Sequence, residues 1–297
     1  RIANMRTHVA TTFGLILPEI RLTDEAELDN GTYVVRIQGV EQARGTLHPD
    51  MVLALMPDNH AALPAGNDVT EPVYGAPARW IATKHQEDAA LMGATVVSPP
   101  EILATHLLEV VKQSFPRLLT LKALRRLLRE MTELSDEFRA NANKKLLDEL
   151  IPDKVPIDTL HAVLRLLLEE RVSIRNMPLI LESIAEARMR TTSPELITEH
   201  VRQRLGFQLV AEMKRDDGTI PLVQLAPEWE DAFTTYQVET QSGLDIALPP
   251  DTFNKLVDAM SDKINQVTEQ GIFAAIVTST RRRRYLRTIL RSRGIQN

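Results

Sequence analysis

The seven histidines, at positions 8, 48, 60, 85, 106, 161 and 200, are the first place to look for metal or acid–base chemistry. No two stand at i, i+4 or at i, i+2, the spacings that put two imidazoles on one helix face or one strand face. The sequence has no cysteine, which removes thiol nucleophiles, disulfides and thiolate metal sites together. Neither G-x-G-x-x-G nor G-x-x-x-x-G-K-[ST] occurs among the twelve glycines, and G-x-S-x-G and H-E-x-x-H are also missing. The carboxylates are plentiful, but none stands out from those of solvated helix faces. The expectation is no metal, no cofactor and no catalytic residue. A hydrolase assembled from scattered Asp, Glu and His is the weaker alternative.

Two stretches could instead bind something. The run "RRRR" at 281–284 continues to Arg287, Arg291 and Arg293. One reading is a basic patch for nucleic acid or anionic lipid. The preferred one is an amphipathic helix with Tyr285, Leu286, Ile289 and Leu290 inward and solvated arginines outside. The second stretch is "EPVYGAPARWI" at 71–81, which places Tyr74 and Trp80 around prolines and a glycine in a chain that is only 4% aromatic. Proline fixes φ and removes an amide donor, so this segment begins as a loop. An aromatic in a stiff loop loses little entropy on binding, which suits an anchor for a partner. The alternative is that the ring only pins its loop.

Elements that position these residues follow from the pattern. Strands are expected at 14–22 and 32–40 around a turn at 29–31, then at 51–56, at "ARWIA" and at "ATVV". A helix spans "TKHQEDAALMG". Ser98 with Glu101 forms a capping-box signature that opens the next helix. From about 119 to 212 apolar residues recur at helical spacing, ending in one long helix from 194. Mixed structure returns after the turn at Asp217-Gly218: helices at 228–236 and 251–269, a strand at 272–279 and the Arg-rich helix. At 297 residues, 43% hydrophobic, with net charge −5 and pI near 5.9, the chain has the composition of a folded protein and not of a wholesale nucleic-acid binder. It has no 20-residue apolar run and no signal peptide, and because it opens on Arg1 it reads as a soluble piece of something longer.

Three segments together carry a resemblance: "IQGVEQARGTLHPDMVLAL" (37–55), "EPVYGAPARWI…GATVVSPPEILATHL" (71–107) and "VPIDTLHAVLRLLLEERVSIRNMPLILESIAE" (155–186). They resemble the FlhA-like export-gate proteins of the bacterial flagellum and of virulence type III secretion, more weakly through to the C-terminus. "YGAPARWI" and "SIRNMPLILE" look closer to the flagellar branch. The 120–150 stretch looks longer than in relatives.

The resemblance implies an α+β multidomain fold. Its first subdomain (1–49 and 99–118) is interrupted by a small inserted second (50–98), followed by an all-helical third (119–206) and a mixed α/β fourth (207–297). It implies a region beneath a polytopic membrane half, at the cytoplasmic face of the bacterial inner membrane, that assembles into a ring of nine copies. Implied partners are chaperones carrying late export substrates, the export ATPase complex and other gate components, with no nucleic acid. Docking is implied between the first two subdomains at Glu71, Tyr74 and Thr105, backed by Val96 and Val97. Relatives often carry Asp and Phe where this sequence has Glu71 and Tyr74. The cleft is expected to flex at the loop 57–78 and at 98–119.

Overall fold

The computed structural model describes residues 2–55, 62–240 and 243–295, the side chains at 240, 243 and 244 excepted. It is mixed helix and sheet and divides into two compact units, Arg1–Arg204 and Leu205–Asn297.

The first unit opens with helix α1 (Ile2–Phe13), which buries Met5 and Val9 and stops at Gly14. Gly14 has φ +76° and packs so closely on Arg175 that a Cβ would lie 2.7 Å from its backbone nitrogen. The Ile174 amide then donates to the Phe13 carbonyl at 2.8 Å, which seats the helix end. No strand forms at 14–22 as the composition suggests. Leu15 and Leu17 are buried there, but Pro18 follows without an amide donor and the segment stays irregular.

The stretch 32–40 is not one strand. It folds back at Gln38 (φ 53°) and Gly39 (φ 80°), the paired positive φ values of a tight hairpin turn. Strand β1 (Thr32–Ile37) thus pairs antiparallel with β2 (Val40–Thr46).

A four-stranded antiparallel sheet follows, ordered β4-β5-β3-β6. Its strands are β3 (Met51–Leu55), β4 (Gly66–Thr70), β5 (Pro77–Ala82) and β6 (Thr95–Val97). Residues 57–61, the start of the loop expected to flex, lie outside the described residues. Both faces of this sheet are covered, which explains why β3 reads as an unbroken apolar run. On one face Val52, Ala54 and Ile81 pack with Ala89 of helix α2 (Gln86–Leu91). On the other Leu53, Ala78 and Trp80 pack with Ile102 of helix α3 (Pro99–Gln113).

The N-terminus of α3 is built as the sequence indicates. The Glu101 carboxylate accepts from the Ser98 amide at 2.9 Å and from its hydroxyl at 2.6 Å. Ser98→Ala is expected to lower the unfolding free energy by about 1 kcal/mol, read by denaturant titration, through loss of this cap.

Helices α4 (Phe115–Leu118), α5 (Leu121–Thr132), α6 (Glu137–Leu150), α7 (Ile157–Glu169), α8 (Met177–Arg188) and α9 (Pro194–Arg204) complete the unit. Their core includes Leu160, Leu164, Leu167, Ile180, Ile184, Ile197 and Val201, all fully buried. The helix expected from 194 onward ends at Arg204. A new one, α10 (Gly206–Met213), starts after Leu205, where one compact unit gives way to the next. The break falls at Leu205, whose ψ of 4° departs from helical values.

The second unit pairs β7 (Leu222–Gln224) in parallel with β10 (Ala275–Val277), and β8 (Gln237–Thr240) antiparallel with β9 (Gly243–Ile246). Its core joins Phe233 of α11 (Pro227–Thr235), Leu256 and Met260 of α12 (Pro250–Glu269) and Leu286 and Ile289 of α13 (Thr280–Ser292).

Candidate functional site

The loop between β4 and β5 is organised by one carboxylate. Pro72 and Pro77 carry no amide hydrogen, so four N–H groups remain to be satisfied between them. Glu71 Oε2 accepts from the Val73 amide at 2.8 Å, and Glu71 Oε1 accepts from the amides of Tyr74 and Ala76. The Gly75 amide donates to the Glu71 carbonyl at 3.2 Å, and the Glu71 amide to the Ala76 carbonyl at 2.9 Å. Gly75 takes φ +74°, which a side chain would strain. Every donor in the loop is therefore used. Glu71 is 6% exposed, whereas Tyr74 stands 72% exposed. The two residues divide the work: Glu71 shapes the loop and Tyr74 is what the loop displays.

Tyr74 borders one face of α3. Thr105 and Glu109 lie one turn apart on that helix, so they share a face, and Lys112 lies three residues further on. Glu109 pairs with Lys112 Nζ at 2.8 Å and approaches the Arg171 guanidinium at 3.8 Å. Burial, then Glu109, raise the pKa of the Tyr74 phenol. Thr105 itself is half-buried.

Three comparisons bear on what this arrangement belongs to. The family model described as the FHIPEP family matches residues 1–296. The chain belongs to the FHIPEP family. It is 35% identical to the flagellar biosynthesis protein FlhA of Caulobacter vibrioides over 295 residues, 99% of this chain and 41% of that protein. This FHIPEP chain thus spans about two fifths of that relative's length. Its fold is similar to a structure of the Chlamydia pneumoniae CdsV and CdsO complex (TM-score 0.79, 21% identity, 99% of this chain and 83% of that one). It is also similar to a structure of nonameric EPEC SctV-C (TM-score 0.73, 18% identity, 97% and 84%). The α+β multidomain class expected from sequence is the fold that these two similarities show.

The FHIPEP chain also holds a Tyr–His pair that sequence reasoning missed, with His106 buried and Tyr33 half-buried. Tyr33 Oη and His106 Nδ1 are 2.6 Å apart, with the rings edge to face. The Tyr33 ring fits because position 45 is glycine: a Cβ there would sit 2.5 Å from the hydroxyl. Burial, with the Glu71 charge second, pushes the Tyr33 phenol up to about 12. Burial lowers the His106 pKa, and the nearby Glu71 carboxylate opposes that only in part.

A histidine whose folded pKa is lowered takes up its proton more readily in the unfolded chain. Its contribution to stability is therefore full above the unfolded value, near 6.5, and is lost as pH falls through the folded one. Unfolding free energy measured across this window is expected to fall with pH. In His106→Gln the slope is expected to be shallower.

Val96 and Val97 do not back the site together, because neighbouring strand residues point to opposite faces. Val97 packs with Trp80 and Ile102 on the α3 side, and Val96 with Ala89 and Ala94 on the other. In α13, Tyr285, Leu286, Ile289 and Leu290 face the core as expected, but the arginines are not all a solvated outer face. Arg282 is 11% exposed, lies over the Phe233 ring at 5.6 Å and pairs with Glu230 at 3.6 Å. Among the described residues, no group of His, Asp and Glu is arranged to hold a metal, and no helix is long and apolar enough to cross a membrane.

Proposed function

We propose that this chain is a docking platform of a flagellar-type protein export gate, acting by reversible binding and not by turnover. The observation that carries this reading is Tyr74: a large ring 72% exposed on a loop whose every amide is hydrogen-bonded. A preorganised aromatic of this kind is what an interface anchor requires. The partner is an export chaperone carrying a late substrate. It inserts an apolar surface over Tyr74 and makes polar contacts with the Thr105 face of α3. Family membership and 35% identity to a flagellar biosynthesis protein favour the flagellar system over the virulence one.

The same reading places this region at the cytoplasmic face of the inner membrane, joined to a membrane half, and divides it into the four subdomains set out above. Similarity to a nonameric assembly supports a ring of nine copies, and similarity to CdsV bound to CdsO supports further contacts with export components, the ATPase complex among them. Titration calorimetry of the chain with a filament chaperone bound to its substrate tests the proposal. Saturable binding is the expected result. Its absence, together with salt-sensitive binding to RNA or anionic vesicles lost when residues 281–284 are neutralised, would replace the proposal with the adaptor reading.

A further inference from the structure

The four-stranded sheet is inserted in the chain between the β1–β2 hairpin and α3. The loop that displays Tyr74 belongs to the sheet, whereas Thr105 belongs to the helix that follows it. The proposed docking uses both, so it depends on how α3 is set. This helix meets its two neighbours through residues one turn apart. Ile102 packs with Leu53, Ala78 and Trp80 of the sheet. His106 meets Tyr33 of the hairpin, 73 residues away in sequence.

The first contact is apolar and has no preferred direction. The second is a hydrogen bond of 2.6 Å between Tyr33 Oη and His106 Nδ1, and such a bond weakens steeply when its angle is spoiled. It therefore fixes the rotation of α3 about its own axis, which apolar packing leaves looser. Thr105 is the residue next to His106, so any rotation that moved the imidazole would carry Thr105 with it.

The Tyr33 end is seated as firmly. In the hairpin register Tyr33 stands opposite Gly45, and its ring lies over that glycine. A Cβ at position 45 would fall 2.5 Å from the hydroxyl and 2.7 and 2.8 Å from two ring carbons. Gly45 does not take a positive φ, so what this position needs from glycine is space and not backbone freedom. The imidazole meets the Tyr33 ring edge to face, with the centroids 5.7 Å apart.

We propose that Tyr33 is a positioning residue of the docking site: acting through His106, its hydroxyl fixes the rotation of α3 and with it the placement of Thr105 relative to the Tyr74 loop. This rests on the docking reading above. Gly45 belongs to the same device, because it leaves the space that the Tyr33 ring fills.

Calorimetry with the chaperone–substrate complex, well below the melting temperature of each variant, is run on Tyr33→Phe, His106→Leu, their double variant, His106→Asn and Gly45→Ala. Tyr33→Phe and His106→Leu are each expected to weaken binding about fivefold, with the double variant no weaker than either, because both remove the same bond. Gly45→Ala is expected to lose about as much by displacing the ring. His106→Asn keeps a polar atom close to the place of Nδ1 and is expected to restore binding to within about twofold of the parent. A second readout is the methyl resonance of Thr105 in the free protein, assigned through Thr105→Ser. It is expected to shift in Tyr33→Phe, which keeps an aromatic ring at 33, so the shift reports movement of the helix.

Unchanged affinity in Tyr33→Phe, or losses that add in the double variant, would overturn the positioning role. A Thr105 methyl unmoved by Tyr33→Phe would show that the bond does not set the helix. If the parent chain binds no chaperone complex, the docking reading falls, and the methyl shift still decides whether Tyr33 positions α3.

Discussion

Tyr74→Asp is expected to weaken binding of the chaperone–substrate complex about a hundredfold, or ~2.7 kcal/mol, while the melting temperature stays within a degree or so of the parent. Two terms add. Removing the ring forfeits burial of a large apolar surface, about 1.5–3 kcal/mol for a side chain of this size. The new carboxylate must then be desolvated at the interface near Glu71 and Glu109, whose repulsion Arg171 offsets only in part. Stability is spared because the ring is 72% exposed in the free protein and contributes little to the core. Calorimetry and a thermal melt on the same preparation check both halves. Affinity equal to the parent would move docking away from this loop.

Glu71→Ala acts on the same site by the opposite route. It touches nothing a partner would see, yet it strands the amides of Val73, Tyr74 and Ala76 at once. Losing the acceptor for three partly buried donors is expected to destabilise the loop by about 2–3 kcal/mol. Amide exchange at residues 73, 74 and 76 should quicken by about thirtyfold or more, with docking weakened alongside. Glu71→Gln should be intermediate. Two of the three bonds go to Oε1, so an amide with its oxygen in that place keeps both and turns its NH2 toward the Val73 amide. Unaltered exchange in Glu71→Ala would show that the prolines alone hold the loop.

The parts of the fold that could be read from sequence were those whose determinants are local. Ser98 with Glu101, the apolar periodicity of α7 and the unbroken run of β3 each state their structure within a few residues. The misreadings share a cause as well. At 14–22 the composition is that of a strand, but Pro18 interrupts it. The single strand at 32–40 hid a turn at Gln38-Gly39. Gly66–Thr70 is too polar to be recognised as a strand, and it lies at the sheet's edge, where a polar strand is tolerated.

At the candidate site, prolines and scarce aromatics mark the loop and Tyr74, whereas Glu71 is picked out only by the resemblance. The role of Glu71 stays hidden, since a side chain that binds its own backbone looks the same in sequence as one that greets a partner. The approach of Arg171 to Glu109 is not legible either, because it is a tertiary contact between residues far apart in the chain, and nothing near Arg171 in sequence announces its positive φ. Val96 and Val97 are neighbours in sequence, which in a strand is the one relation that separates side chains.

The capped loop behaves as an interchangeable fitting. Its curvature depends on the carboxylate of Glu71, two prolines and one glycine, and from residues 73, 74 and 76 it draws only main-chain amides. The displayed side chain at 74 can therefore be exchanged without redrawing the mount. A selection library randomised at this position, with 71, 72, 75 and 77 held fixed, would sample partner preference on a constant backbone. The same seven-residue clip, 71–77, is short enough to transplant between other antiparallel strands that need a rigid, outward-facing ring.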